Sequence, residues 1–125
     1  KDFLILSCIG KNDKIGLRVN NKFYIHDLQK KINNNDQLVL SILNLVKKYK
    51  VNIDNKFSII VNIGPGSFSS IRTSLSVAKG MKISKNINLY GFKNTDLKQF
   101  DLVNVELLIS NDLIQNKLIK PIYLS

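Results

Sequence analysis

Residues 59–72 have the sequence IIVNIGPGSFSSIR, and this stretch decides the fold of the chain. Residues 59–63 are too apolar for a half-exposed strand, so they predict an internal strand that is covered on both faces. Pro65 has no amide hydrogen to donate, so the strand must end there, and the glycines beside it allow a sharp turn. A helix should follow as far as about Ser84. Its first free amides can be capped by Ser67, Ser69 or Ser70.

Three strands are predicted before this stretch. Residues 3–9 form an apolar run that is typical of a buried strand. Residues 14–19 and 22–27 alternate between apolar and polar side chains, which is the period of a strand with one buried face. Asn12-Asp13 and Asn20-Asn21 lie between the strands and predict tight turns, because asparagine tolerates positive φ. The three strands therefore predict an antiparallel meander.

A helix and a fifth strand complete the predicted sheet. Residues 29–35 are polar and predict a loop, with an extension of the next helix as the alternative, and Asp36 is a suitable cap for the helix that follows. Apolar residues then recur at helical spacing, at Leu38, Ile42, Leu45, Val46 and Tyr49. Residues 87–92 predict the fifth strand. The order β-β-β-α-β-α-β is that of an α/β domain of the ribonuclease H-like, actin-like (ASKHA) class, with two main helices and a mixed five-stranded sheet. Its helical crossovers should make the first, fourth and fifth strands parallel.

The turn and the helix after it resemble a known family. Residues 64–72 have the sequence GPGSFSSIR and are followed by Ser74-Leu75 and by Ala78-Lys79-Gly80. This pattern is similar to the signature of the TsaB (YeaZ) family, which has GPGSFTGLR, a glycine–leucine pair and AKG. The signature turn would comprise Gly64, Pro65, Gly66, Ser67, Phe68 and Arg72. The resemblance implies an actin-like fold and a non-catalytic subunit of the machinery that makes threonylcarbamoyladenosine at position 37 of tRNA.

The resemblance also implies a division of the chain. It covers residues 1 to about 93 and the last six residues, whose Pro121-Ile122-Tyr123-Leu124 is similar to the family's ending. Family members are longer and carry a second domain of similar fold. We therefore expect an actin-like domain at 1–93 and a short remnant at 94–125. Within that remnant, residues 94–100 predict a short helix, and the alternation of residues 103, 105, 107 and 109 predicts a strand.

Partner proteins are the second implication of the resemblance. In the family, the helix after the signature and the helix before it pack against the equivalent pair of the catalytic subunit TsaD, and TsaB also pairs with itself there. The residues of this chain that correspond to that interface are Leu38, Ile42, Leu45, Tyr49, Ser70, Ile71, Ser74, Leu75, Ala78 and Met81. Ser70, Ser74 and Ala78 stand four residues apart, so their small side chains share one face that lets another helix approach closely. Packing of this face on the domain's own sheet or on its first helix is the alternative.

The composition bears on partners and on compartment. The net charge is +10, and 17 of the 19 basic residues are lysines. This charge favours an acidic partner such as RNA, but specific nucleic-acid readers use arginine, so we expect contact with tRNA only through a complex. A TsaD-type subunit is the expected partner, and a TsaE-type ATPase is a further candidate. The single Cys8 fits a reducing cytoplasm, and no apolar run approaches the length of a membrane span.

No catalytic residue, metal or cofactor is predicted. Actin-like ATPases need a carboxylate at the end of the first strand to hold a divalent ion, and Ser7 stands at that place. His26 is the only histidine, which excludes a paired-histidine metal site. Cys8 is expected in the core. The glycine turn lacks the other residues of a P-loop or a dinucleotide fingerprint, so a structural turn is favoured.

The alternative functions are a small nucleotide-binding ATPase and a homodimer that no longer binds TsaD.

Overall fold

A computed structural model describes residues 2–29, 34–116 and 119–123. Five strands and three α-helices follow one another, with one 3₁₀ helix at Asn94–Asp96. The strands are β1 (Phe3–Ser7), β2 (Lys14–Val19), β3 (Lys22–Asp27), β4 (Ser58–Asn62) and β5 (Asn88–Phe92). The helices are α1 (Asn35–Lys48), α2 (Phe68–Lys85) and α3 (Leu102–Ser110). No helix in this described part is long and apolar enough to span a membrane.

The five strands form one mixed sheet in the order β3-β2-β1-β4-β5. β1, β2 and β3 pair antiparallel, whereas β1, β4 and β5 are parallel. The predicted meander and the predicted parallel crossovers are therefore both confirmed. β4 lies between two other strands and is buried along its whole length, as its continuous apolar sequence predicts. Asn20 and Asn21 have φ of 53° and 65° and form the predicted turn between β2 and β3.

The helices cover both faces of this sheet. α1 and α2 pack on one face, where Leu4, Leu6, Ile59 and Val61 are fully buried. On the other face, Phe3, Ile5, Ile60 and Phe92 form a second cluster with Val105 and Leu108 of α3. Alternate residues of β1 and β4 therefore enter two different cores, which explains why both strands are apolar throughout.

The helix α3 replaces the strand that alternation predicts for residues 103–109, so that prediction is wrong. Val105 and Leu108 are buried three residues apart, whereas Val103 and Leu107 are 68% and 50% exposed. The Asp101 side chain caps the helix by accepting a hydrogen bond from the Asn104 amide at 2.8 Å. The second face of the sheet needs an apolar cover, and one helical turn places Val105 and Leu108 on the same side to supply it. The predicted domain boundary at residue 93 stays a prediction.

The start of α1 also differs from its prediction. Asn34 is the cap, and its side-chain oxygen accepts from the amides of Asp36 at 2.8 Å and Gln37 at 3.3 Å. Asp36 lies in the first helical turn, where its charge suits the helix dipole. Of the predicted loop at 29–35, residues 30–33 lie outside the described part, and Asn35 is already helical. Asparagine and aspartate cap equally well, so the sequence does not distinguish the two positions.

Candidate partner-binding surface

The glycine turn at residues 64–66 is held by close backbone contacts. Gly64 has a φ of 103°, and a side-chain carbon there would collide with the carbonyl oxygen of Ile122. A side-chain carbon at Gly66 would lie 2.7 Å from the Cβ of Ile9. The amide of Ser67 donates to the carbonyl of Ile9 at 2.8 Å, and the amide of Asn94 donates to the carbonyl of Gly64 at 2.8 Å. The turn therefore fixes the start of α2 against the segments that follow β1 and β5.

The prediction that a serine side chain caps α2 is wrong. Ser67 occupies the cap position, but its side chain makes no capping hydrogen bond. Its hydroxyl lies 3.4 Å from that of Ser69, which is already inside the helix, as is Ser70. The hydroxyl of Ser70 is buried without a hydrogen-bond partner in the described residues.

A neutral hydrogen-bonded cluster occupies the carboxyl ends of the parallel strands. The side-chain nitrogen of Asn62 lies 3.2 Å from the hydroxyl of Ser7 and 3.0 Å from the side-chain oxygen of Asn94. The side-chain oxygen of Asn62 accepts from the amide of Gly64 at 2.9 Å. Asp13, the nearby buried carboxylate, accepts from the amides of Ile9 and Gly10 at 3.1 and 3.0 Å. The bonds of Asn62 join β1, β4 and the segment after β5.

Cys8 lies in the core, as the sequence predicts, and His26 lies at the surface. Cys8 is fully buried, and burial, together with the nearby charge of Asp13, raises the pKa of its thiol to about 12. A hydrogen bond with Ser74 opposes this shift. Because the thiolate is the nucleophile, such a thiol is unreactive at neutral pH. His26 is exposed on the edge strand β3, and the described residues contain no group of three or more metal-binding side chains.

The structure corrects the predicted partner face. Eight of its ten residues are buried inside the domain: Leu38, Ile42, Leu45, Ser70, Ile71, Ser74, Leu75 and Ala78. Tyr49 is half-buried with its ring stacked 3.7 Å from that of Tyr24, and Met81 is half-buried against the same core. Side chains that are buried almost completely cannot form a docking surface, and α2 packs on α1 and on β4 and β5 of its own domain, which is the alternative. Ser70, Ser74 and Ala78 are fully buried in this packing, as the close approach that small side chains permit would require.

One exposed apolar surface of the helical layer lies instead on the outer side of α1. Val39, Leu40 and Leu43 are 39%, 60% and 54% exposed. Their spacing places them side by side on the helix, and we call them the α1 stripe. These three residues are absent from the predicted interface, because that prediction rests on the single apolar stripe of the helix that faces the core. The signal was present, since residues 38–46 contain seven large aliphatic residues, more than one face of a helix can bury.

The outer side of α2 adjoins α1 and carries the exposed signature residues. The side-chain nitrogen of Asn35 lies 3.2 Å from the hydroxyl of Ser76, which joins the two helices. Phe68 is 54% exposed and packs on Tyr123 with ring centroids 4.6 Å apart. The guanidinium of Arg72 lies 5.7 Å from the centroid of Phe68. Of the predicted family-like ending, Leu124 and Ser125 lie outside the described residues.

Comparisons with known proteins agree on the fold. The chain superposes on YeaZ from Pseudomonas aeruginosa with a TM-score of 0.65 and 18% sequence identity. It also superposes on an uncharacterized protein described as similar to peptidase YeaZ from Pseudomonas aeruginosa, with a TM-score of 0.70 and 15% identity. In both cases 78% of this chain is covered and 45% of the other. No family model and no curated protein matches the sequence. The chain therefore has the YeaZ fold, of ribonuclease H-like and actin-like type, and spans less than half the length of the two solved structures.

Proposed function

We propose that the chain is a non-catalytic subunit that docks on a TsaD-type catalytic subunit through the α1 stripe. In this role it supports transfer of a threonylcarbamoyl group to adenosine 37 of tRNA without contributing a reacting group. The YeaZ fold and the signature at residues 64–80 support the family role. The observation that carries the docking proposal is the exposure of Val39, Leu40 and Leu43 on one side of α1.

Burial of the α1 stripe against a partner would be favoured by the hydrophobic effect. Complete burial of a valine or leucine side chain contributes about 1.5–3 kcal/mol. Because each of the three is roughly half exposed in the isolated domain, their burial against a partner would contribute about 2–4 kcal/mol in total. This is comparable with the truncation cost of a binding hot spot. A helix of the partner laid along α1 would supply that cover.

The chemistry of the strand ends supports an accessory role. Ser7 stands where an actin-like ATPase needs a carboxylate, and it is engaged with the neutral amide of Asn62. The one thiol is buried with a raised pKa. The glycine turn uses its backbone groups to hold neighbouring segments, which favours a structural turn over a phosphate-binding loop.

Binding to a TsaD-type subunit tests the docking proposal. The double variant Leu40→Asp with Leu43→Asp should lose co-purification and lower the affinity at least tenfold, because it places two charges in an apolar contact. The matched control is Val103→Asp with Leu107→Asp, at equally exposed positions on α3, which should bind normally. Both double variants should keep the circular dichroism spectrum of the unchanged protein, since all four side chains are largely exposed.

Two further results would contradict the proposal. One is unchanged affinity of the Leu40→Asp, Leu43→Asp variant for the TsaD-type subunit. The other is a homodimer that persists in sedimentation experiments when that subunit is added, which would favour self-association through the same stripe.

Reconstituted tRNA modification should require the chain, and the α3 control variant should support it fully.

A further inference from the structure

A groove follows the side of α2 that faces β5 and the segment after α3. Its volume is about 610 Å³. It is lined by Lys79, Lys82, Ile83, Leu89, Asn116, Ile119 and Lys120. The α1 stripe lies away from it, because α1 packs beside β2 whereas α2 packs beside β4 and β5. The groove is therefore a separate surface, and a ligand could occupy it whether or not a TsaD-type subunit docks on α1.

The charged side chains described in the lining of the groove are all positive. Among the residues that the structure describes, its lining includes three lysines and no carboxylate, and Lys85 follows in the last turn of α2. The ion pair found among the described residues, between Lys14 and Asp27, lies elsewhere. Lysines at the end of a helix stabilise its dipole, which accounts for Lys82 and Lys85. It does not account for Lys79, one turn earlier, or for Lys120 on a different segment.

The groove also presents apolar area. Ile83 is 85% exposed, the highest value among the exposed large hydrophobic residues of the described chain. Leu89 is buried and Ile119 is half-buried, so they form an apolar floor beside it. An isoleucine at this exposure gains almost nothing from the hydrophobic effect in the isolated domain. Cover by a partner would stabilise it.

We propose that this groove binds an acidic peptide segment of a partner protein that carries at least one large aliphatic side chain. The carboxylates would pair with Lys79, Lys82 and Lys120, and the aliphatic side chain would pack on Ile83 and the apolar floor. RNA fits less well, because the described residues of the lining include no aromatic ring or arginine on which a base stacks. A flat anionic membrane would reach the lysines but not the floor of a concave groove.

Fluorescence anisotropy with defined probes tests this proposal on the full chain. The probe is a labelled glutamate-rich peptide with two leucines, compared with one peptide whose leucines are serines and one whose glutamates are glutamines. Lys79→Glu with Lys82→Glu should weaken binding of the first peptide about tenfold. Ile83→Asn should weaken it about fivefold. Both control peptides should bind more weakly than the probe, and added salt should weaken only the acidic ones.

The matched control variant is Lys47→Glu with Lys48→Glu. It changes the net charge equally and also reverses two lysines at the end of a helix, so it should bind the acidic peptide within about twofold of the unchanged protein. Equal loss in both double variants would overturn the proposal, because binding would then depend on net charge alone. Tighter binding of a single-stranded RNA of equal charge, or Ile83-dependent binding of phosphatidylserine vesicles, would overturn it as well.

Discussion

Two glycines of the signature stretch, Gly64 and Gly80, have opposite surroundings. Gly64 combines positive φ with a carbonyl oxygen where a side chain would be. Gly80 lies within α2, and a side-chain carbon there would have no other atom within 4 Å. The sequence shows the need for Gly64, since a strand must turn at Pro65. It gives no structural reason for Gly80, because glycine within a helix weakens it.

Substitution of each glycine by alanine should therefore have opposite effects. Gly64→Ala should lower the free energy of unfolding by about 2 kcal/mol or more, from strained φ and the collision with Ile122. Gly80→Ala should raise it by about 0.5–1 kcal/mol. Urea denaturation followed by circular dichroism measures both. Equal stability of the two variants would contradict the structural role assigned to the turn.

The elements of the chain differ in how far the sequence predicts them. β2 and β3 are predicted to the residue, because alternation continues up to the asparagine turn that separates them. α3 is missed because residues 102–109 satisfy the period of a strand and the spacing of a helix at once. The buried face of α2 is misassigned for a different reason. Small residues at helical spacing permit close packing equally on a partner helix and on the domain's own sheet, and only the crossover geometry decides between them.

The helical assignment of α3 predicts a contrast between neighbouring leucines. Leu108 is 1% exposed and Leu107 is 50% exposed. Leu108→Ala should cost about 2–5 kcal/mol, because it opens a cavity against the second face of the sheet, whereas Leu107→Ala should cost less than about 1 kcal/mol. Chemical denaturation of the two variants provides the comparison. In the strand alternative, Leu107 would be the inward residue and the order of the two costs would reverse.

At the scale of the whole molecule, the helical layer presents two different surfaces. The α1 stripe is aliphatic and lies on the β2 side, whereas the α2 groove is rimmed by lysines and lies on the β5 side. Neither surface is needed to close the core, since the buried faces of α1 and α2 already cover the sheet. Under the two proposals, the domain would hold two partners of different chemistry, one on each surface.

If the α1 stripe and the α2 groove are separate surfaces, both partners should be able to bind at the same time. A saturating TsaD-type subunit should leave the affinity of the chain for the acidic leucine-containing peptide within about threefold, because the two contacts share no residue. The ternary complex should lose only the peptide in the Lys79→Glu, Lys82→Glu variant, and only the larger subunit in the Leu40→Asp, Leu43→Asp variant. Anisotropy titrations with and without the subunit measure this. Mutually exclusive binding would show that one partner covers the whole helical layer, and the separation of the stripe from the groove would then be wrong.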